Sequence, residues 1–302
     1  MSDPRPIDAL RAMLLDLLGG PDASIAFRRE QSAAFAANQP PLPQGLIASQ
    51  VTLGGRPAER LAPTADTPAF TVLHLHGGGY VMGDPPGSRG FTAALALATG
   101  AEVVSLDYRL APDHPFPAAV DDALAAYTEL LRQGTPAARI AITGESAGGG
   151  LTVAALLAAR DAGLPQPACA AALSPWVDLA CEGGSHQACA ARDPLLTRDI
   201  LLEMAGQYLQ GQDPHAPLAS PIAADLEGLC PLLIQVGADE VLLDDAVTLA
   251  ERARSAGIDV ELEVWPEMIH VWQMFGGLLP EADQAVARIA AFMAARCDPP
   301  SS

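Results

Sequence analysis

Short apolar segments alternate with helical segments along most of the chain, and this alternation constrains the fold more than any other feature. Patterns of helical period lie at about residues 88–99, 117–133, 148–162, 244–256 and 281–296. Strands that are apolar on both faces and joined through helices form a mostly parallel sheet covered on both sides. Ligands then bind beyond the carboxyl ends of the strands. The predicted strands are Thr71–Leu75, Glu102–Asp107, Ile140–Thr143, Ala168–Leu173, Leu232–Val236 and Val260–Val264.

Two regions depart from the alternation. The chain begins with helical patterns at about 6–19 and 23–38, followed by a proline-rich joint and two strands between about 47 and 61. Residues 181–217 show no strand pattern and hold one helical stretch, and an insertion of this kind forms a lid beside a site. We therefore expect residues 1–45 to contribute helices to a cap, residues 46–180 and 218–302 to form the core, and residues 181–217 to be a cap insertion.

A serine lies between a predicted strand and a predicted helix. The segment Gly144-Glu145-Ser146-Ala147-Gly148 follows RIAIT and precedes GGLTVAALLAAR. A serine on such a sharp turn has its hydroxyl exposed at a helix N-terminus, where the dipole favours developing negative charge. The small neighbours let strand and helix pack closely. This context predicts a nucleophile rather than a structural glycine turn.

A glycine-rich loop follows the first core strand. His76-Gly77-Gly78-Gly79-Tyr80 comes directly after FTVLHL, and its unshielded N–H groups could bind an oxyanion together with the N–H of Ala147. The alternative is a phosphate-binding loop. That loop would need a following lysine or the G-x-G-x-x-G spacing, and neither is present.

A nucleophilic serine needs a base, and the base needs an orienting acid. Of the six histidines, His270 is the one that follows the last predicted strand. The strand LLIQVG runs into Ala238-Asp239-Glu240, and Asp239 is the first acid after it. Asp244 and Asp245 are better placed at the start of the next helix. The order of serine, acid and histidine predicts Ser146, Asp239 and His270 as a triad.

These motifs together resemble the hormone-sensitive-lipase-like carboxylesterases, bacterial family IV of the α/β hydrolases. The resemblance covers nearly the whole chain; it departs at Glu145, where the family commonly has aspartate. It implies an α/β-hydrolase fold with a mostly parallel eight-stranded sheet, flanking helices and a helical cap. It also implies hydrolysis of short- to medium-chain esters without a cofactor or metal, by Ser146, Asp239 and His270 with oxyanion donors Gly78, Gly79 and Ala147. The matching segments are HGGGYVMGD, DYRLAPDHPFPAAVDD, GESAGGG, SPWVDL and DPLLT.

The charge composition narrows both the chemistry and the partners. All 17 basic residues are arginine, so Schiff-base, P-loop and Ser–Lys mechanisms are excluded. Thirty-six acids give a net charge of −19, which disfavours nucleic acid as a partner.

Five irregularly spaced cysteines predict neither a disulfide framework nor a zinc site. The first residues, MSDPRPIDAL, lack the pattern of a secretory signal, and no apolar run is long enough to span a membrane. We therefore expect a cytoplasmic enzyme.

The substrate pocket is less constrained by the sequence. The candidate lining residues are Tyr80, Leu201, Met204, Tyr208 and Val271. A helix that packs its apolar stripe on the core would explain Leu201, Met204 and Tyr208 equally well. A small-molecule ester is the expected partner, and a homodimer remains open. Lactone hydrolysis or deacetylation of small molecules is the alternative activity. An amidase or peptidase would share the tetrahedral intermediate, and a non-catalytic ligand-binding protein could share the scaffold.

Overall fold

A computed structural model describes residues 5–20, 23–64 and 67–297 of the chain. Residues 1–4 lie outside the described residues. They belong to the segment MSDPRPIDAL, for which the sequence predicts no secretory signal. The strands are β1 Leu46–Leu53, β2 Arg56–Pro63, β3 Thr71–Leu75, β4 Glu102–Leu106, β5 Ile140–Glu145, β6 Cys169–Leu173, β7 Leu232–Gly237 and β8 Val260–Trp265. The α-helices are α1 Pro6–Leu18, α2 Ile25–Ala37, α3 Arg89–Thr99, α4 Ala118–Arg132, α5 Ala147–Asp161, α6 Ser185–Ala188, α7 Arg198–Leu209, α8 Leu243–Ser255 and α9 Pro280–Ala294.

The strands form one sheet in the order β1-β2-β4-β3-β5-β6-β7-β8. β1 and β2 pair antiparallel with each other, β2 pairs antiparallel with β4, and every later pairing is parallel. The chain leaves β3 for β4 on one side and returns to β5 on the other. This reversal opens a crevice at the carboxyl ends of β3 and β5, where open α/β sheets bind ligands. The predicted α/β class and mostly parallel eight-stranded sheet are confirmed.

Burial explains which segments form the centre of the sheet. Every residue of β3, β5, β6 and β7 is buried, as expected for strands covered by helices on both faces. The helix α5 is buried along nearly its whole length, so it lies inside the molecule rather than on its surface. Among the described residues, no helix combines the length and apolar character needed to cross a bilayer.

The N-terminal helices and the segment 181–217 lie over the carboxyl ends of the strands. The buried side chains Ile7, Leu10 and Leu14 of α1 join the same apolar cluster as those of α7. Between residues 181 and 217, all of them described, the structure contains α6 and α7 and no strand, which agrees with the sequence pattern. The division into core and cap remains a prediction.

Candidate active site

Ser146 lies at the turn between β5 and α5, in a backbone conformation that is rare for an L residue. Its φ and ψ are 57° and −122°, and it is the N-cap of α5. A β-carbon on Gly148 would lie 1.9 Å from the carbonyl oxygen of Leu75, so only glycine allows the helix to approach β3 this closely. The strained turn therefore depends on the small neighbours that the sequence places around the serine.

His270 connects Ser146 to a buried carboxylate. Its Nε2 lies 2.9 Å from Ser146 Oγ, and its Nδ1 lies 2.7 Å from Glu240 Oε2. His270 is 4% exposed and Glu240 is fully buried. The hydrogen bonds thus form one continuous chain from hydroxyl to imidazole to carboxylate.

The carboxylate beside the imidazole is a correction to the sequence prediction, which assigned Asp239. Asp239 instead pairs with Arg11 at 2.7 Å and Arg192 at 3.4 Å, on the partly exposed side of the loop. β7 runs to Gly237, and the next two N–H groups bond to the carbonyls of Trp265 and Met268. These bonds hold the loop against the one that carries His270, and they bring the second acid, not the first, to the imidazole.

A buried serine fixes the orientation of Glu240. Ser174 Oγ donates to Glu240 Oε1 at 2.8 Å and accepts from the N–H of Val271 at 3.2 Å. The N–H of Gly237 donates to the same carboxylate oxygen. Ser174 and Val271 both have positive φ, 44° and 50°. Sequence reasoning missed Ser174, although it lies inside the SPWVDL segment directly after β6.

Two of the predicted oxyanion residues, Gly78 and Gly79, line the same cavity as Ser146, and the third, Ala147, directly follows it. Gly78 and Gly79 have φ values of 114° and 62°, which favour glycine, and Ala147 is the first residue of α5. Within the described part of the chain, the N–H groups of these three residues donate to no other group. They are therefore free to bind an anion at the N-terminus of α5.

Glu145 stabilises the glycine-rich loop after β3 through hydrogen bonds. Its carboxylate accepts from the N–H of Gly77 at 2.7 Å and from Ser88 Oγ at 3.0 Å, and it lies 2.8 Å from His74 Nε2. Burial alone would raise the pKa of Glu145, but His74 and the Gly77 N–H together lower it. The glutamate found where the family commonly has aspartate is thus a fully bonded, ionised anchor.

An apolar cavity of about 270 Å³ opens onto Ser146 and His270. Of the five predicted lining residues, Leu201, Met204 and Val271 line it. Tyr80 and Tyr208 do not, because their rings stack on each other at 4.0 Å in the core behind it. The lining residues that sequence reasoning missed lie mainly on α1, α2 and near α9: Leu14, Leu17, Phe35, Leu196, Met274 and Phe275.

The candidate groups include no metal centre. Among residues 5–20, 23–64 and 67–297, no group of three or more His, Cys, Asp or Glu side chains is arranged to hold an ion.

Comparison with known proteins identifies the fold family and two similar hydrolases. A family model described as the α/β hydrolase fold matches residues 72–274. The chain is 50% identical over 269 residues to an acetyl-hydrolase of Streptomyces hygroscopicus, covering 89% of this chain and 88% of that protein. An ethyl acetate hydrolase of Pseudomonas putida is 32% identical over 276 residues, 86% of each chain.

A solved structure decides the branch within the family. The crystal structure of an esterase from the bacterial hormone-sensitive lipase family superposes with a TM-score of 0.93 and 43% identity, covering 99% of this chain and 100% of that one. This chain belongs to the hormone-sensitive-lipase-like esterases of the α/β-hydrolase family. The resemblance and the ester-hydrolase class expected from the sequence are confirmed. The roles of individual residues stay predictions.

Proposed function

We propose that this esterase hydrolyses short- to medium-chain carboxylic esters through an acyl-enzyme on Ser146. In this proposal His270 is the base and Glu240 is the carboxylate that orients it. The observation that carries the proposal is the hydrogen-bond chain from Ser146 Oγ to Glu240 Oε2, beside three uncommitted N–H groups. A serine hydrolase needs both elements, the activated hydroxyl and the oxyanion donors, beside the same carbonyl carbon of the substrate.

Acylation begins when Ser146 Oγ attacks the ester carbonyl and His270 Nε2 takes its proton. The carbonyl oxygen becomes negative and is bound by the N–H groups of Gly78, Gly79 and Ala147, each of which is worth about 3 kcal/mol to the transition state. Glu240 accepts from Nδ1–H, which fixes the tautomer and stabilises the imidazolium. His270 then protonates the leaving alcohol.

Deacylation follows the same route with water in place of the alcohol. His270 removes a proton from the water, which attacks the acyl carbonyl in the same oxyanion site, and Ser146 Oγ leaves with that proton. The chain supplies all the groups for both steps.

The cavity favours small acyl groups with apolar character. A volume of about 270 Å³ lies near the lower end of the range for small-molecule sites. Its walls are mainly aliphatic, aromatic and methionine side chains. Arg28 also lines the cavity, and its guanidinium donates to the carbonyl oxygens of Gly20, Ala23 and Leu195. An uncharged ester suits such walls better than an anionic one. The acetyl-hydrolase relative makes acetylated small molecules the second candidate substrates.

The test is a rate series on p-nitrophenyl esters from acetate to laurate, with a matched lactone and a matched anilide. We expect turnover to be highest for the short esters, lower for the long ones, and very low for the anilide. Ser146→Ala should reduce turnover by more than about 10³-fold while leaving the circular dichroism spectrum unchanged. A non-catalytic ligand-binding protein would release no nitrophenol burst, and an amidase would cleave the anilide as fast as the ester.

A cytoplasmic location and a homodimer are further parts of the proposal. Support for the location is that the cysteines at 169, 181, 189 and 230 are buried and form no disulfide, as in proteins of a reducing compartment. Light scattering on the purified protein tests the dimer.

A further inference from the structure

Arg11 of α1 joins three segments that meet at the active site. Its Nη2 donates to Asp239 Oδ2 at 2.7 Å and to the carbonyl oxygen of Glu267 at 2.9 Å. Its Nη1 donates to the carbonyl oxygen of Arg192, in the segment between α6 and α7. One guanidinium therefore bonds to the loop after β7, the loop after β8 and the segment over the site.

Two of these contacts adjoin the proposed catalytic residues in sequence. Asp239 immediately precedes Glu240, and Glu267 lies three positions before His270 on the same loop. Glu267 has a φ of 62°, an unfavourable conformation for a side chain of this kind, and the bond from Arg11 to its carbonyl favours that conformation. The N–H of Asp239 also bonds to the carbonyl of Met268 at 3.1 Å, so the two loops are already paired.

The same helix forms part of the cavity wall. Leu14, one turn after Arg11, is 4% exposed and lines the cavity. Arg11 and Asp239 are themselves only 20% and 18% exposed, so their pairing is better shielded from water than a surface ion pair. One side chain therefore links the position of α1 over the cavity to the positions of the two loops.

We propose that Arg11 is a positioning residue, which sets the loops of Glu240 and His270 when α1 covers the cavity. This inference rests on the proposed function, because it assigns Arg11 to the same site. It also accounts for Asp239: the acid that does not face the imidazole is the one through which α1 holds the acid loop.

Arg5, at the N-terminus of the same helix, provides a control. It is the N-cap of α1 and pairs with Asp8 and with the Glu267 carboxylate, but its side chain is 58% exposed. Arg5→Ala therefore removes a tether from α1 to the same residue without touching Asp239 or the carbonyl of Glu267. Exposed ion pairs of this kind contribute little to the stability of the fold.

The experiment measures kcat, KM and Tm for wild type, Arg11→Ala, Arg11→Lys, Asp239→Ala, the Arg11→Ala/Asp239→Ala double variant and Arg5→Ala, on p-nitrophenyl acetate and butyrate. Arg11→Ala should lower kcat about tenfold on both esters, since small displacements of catalytic groups have effects of this size. Arg11→Lys should recover part of the loss, because it keeps the charge but not the planar fork. The double variant should be no slower than Arg11→Ala alone, and Arg5→Ala should match wild type.

Two results would overturn the inference. A kcat within twofold of wild type for Arg11→Ala, with only a lower Tm, would make Arg11 a structural tether. An equal loss of kcat in Arg5→Ala would assign the effect to attachment of the helix in general. The wild-type and Ser146→Ala rates separate the two proposals. If wild type hydrolyses neither ester, or Ser146→Ala is as active as wild type, the proposed function fails and this inference with it. If wild type is active, Ser146→Ala is inactive and Arg11→Ala is as active as wild type, this inference alone is defeated.

Discussion

The carboxyl ends of the strands and the helices that cover them hold the site in place by different means. We call the strand ends and loops that carry Ser146, Glu240 and His270 the sheet edge, and the covering helices the roof. At the sheet edge, Ser146, Glu240 and His270 are held by strand ends, tight glycine contacts and residues of positive φ. The roof, which we define as α1, α2 and α7, meets the site through long apolar side chains and through arginines that donate to a carboxylate and to backbone carbonyl groups. From this comparison we expect the chemistry to depend mainly on the backbone that holds these residues, and acyl preference to depend on the side chains of the roof.

Among variants that keep the three residues of the proposed triad, the largest effect is expected where a glycine lets two backbones meet. Gly148→Ala would place a β-carbon 1.9 Å from the carbonyl oxygen of Leu75 and 2.5 Å from that of His76, so the elbow must shift. We expect kcat/KM to fall by about a hundredfold or more. Gly206→Ala in α7 is the roof control, because nothing lies within 4 Å of its added carbon, and it should retain activity. Wild-type kcat in Gly148→Ala would refute the rigid-edge account.

Ser174 tests the support beneath the acid. Ser174→Ala removes the donor to Glu240 Oε1 and the acceptor of the Val271 N–H, which lie at 2.8 and 3.2 Å. A loss of about 1.4 kcal/mol corresponds to a tenfold lower kcat. Ser255→Ala, which removes an exposed bond to the Glu251 carbonyl on α8, should change nothing. Equal rates for the two variants would show that the Glu240 carboxylate needs no such partner.

Met204 tests the exchangeable roof. Its Sδ lies 2.2 Å from where a β-carbon on Gly79 would be, and the side chain lines the cavity. Met204→Ala should widen the cavity beside the oxyanion loop and shift kcat/KM several-fold from acetate towards hexanoate esters. Tyr208→Phe is the matched control, because that ring lies behind the cavity and its hydroxyl has no partner within the described residues. A change of acyl preference in Tyr208→Phe would contradict the placement of the cavity wall.

The smallest effect concerns stability where the loop after β6 meets α8. Asp245 accepts from the N–H groups of Val177 and Asp178, and burial raises its pKa well above the usual value. A raised carboxyl pKa destabilises the fold as pH increases from the unfolded value near 3.8. Asp245→Asn keeps an acceptor without the charge, and it should raise Tm at pH 7 by about 2–4 °C. The gain should vanish towards pH 4 in calorimetry; a gain independent of pH would exclude this cause.

The sequence predicts the strands and helices better than the contacts between segments distant in sequence. Apolar strands and the glycine-flanked Ser146 are local patterns, so β3 to β8 and the serine turn agree with prediction to within about two residues. The choice between Asp239 and Glu240 depends on hydrogen bonds from their loop to Trp265 and Met268, which no local pattern encodes. Leu14 and Phe35 reach the cavity only because the N-terminal helices fold back over a site distant in sequence.

The identity of the acid is tested most directly by comparing Glu240→Gln with Asp239→Asn. Both variants are isosteric, both remove one negative charge, and the two positions are adjacent in one loop. The account predicts that Glu240→Gln lowers kcat/KM on p-nitrophenyl acetate by roughly 10³–10⁴-fold, because the imidazole loses its carboxylate partner, whereas Asp239→Asn loses at most about tenfold. A larger loss in Asp239→Asn than in Glu240→Gln would contradict it.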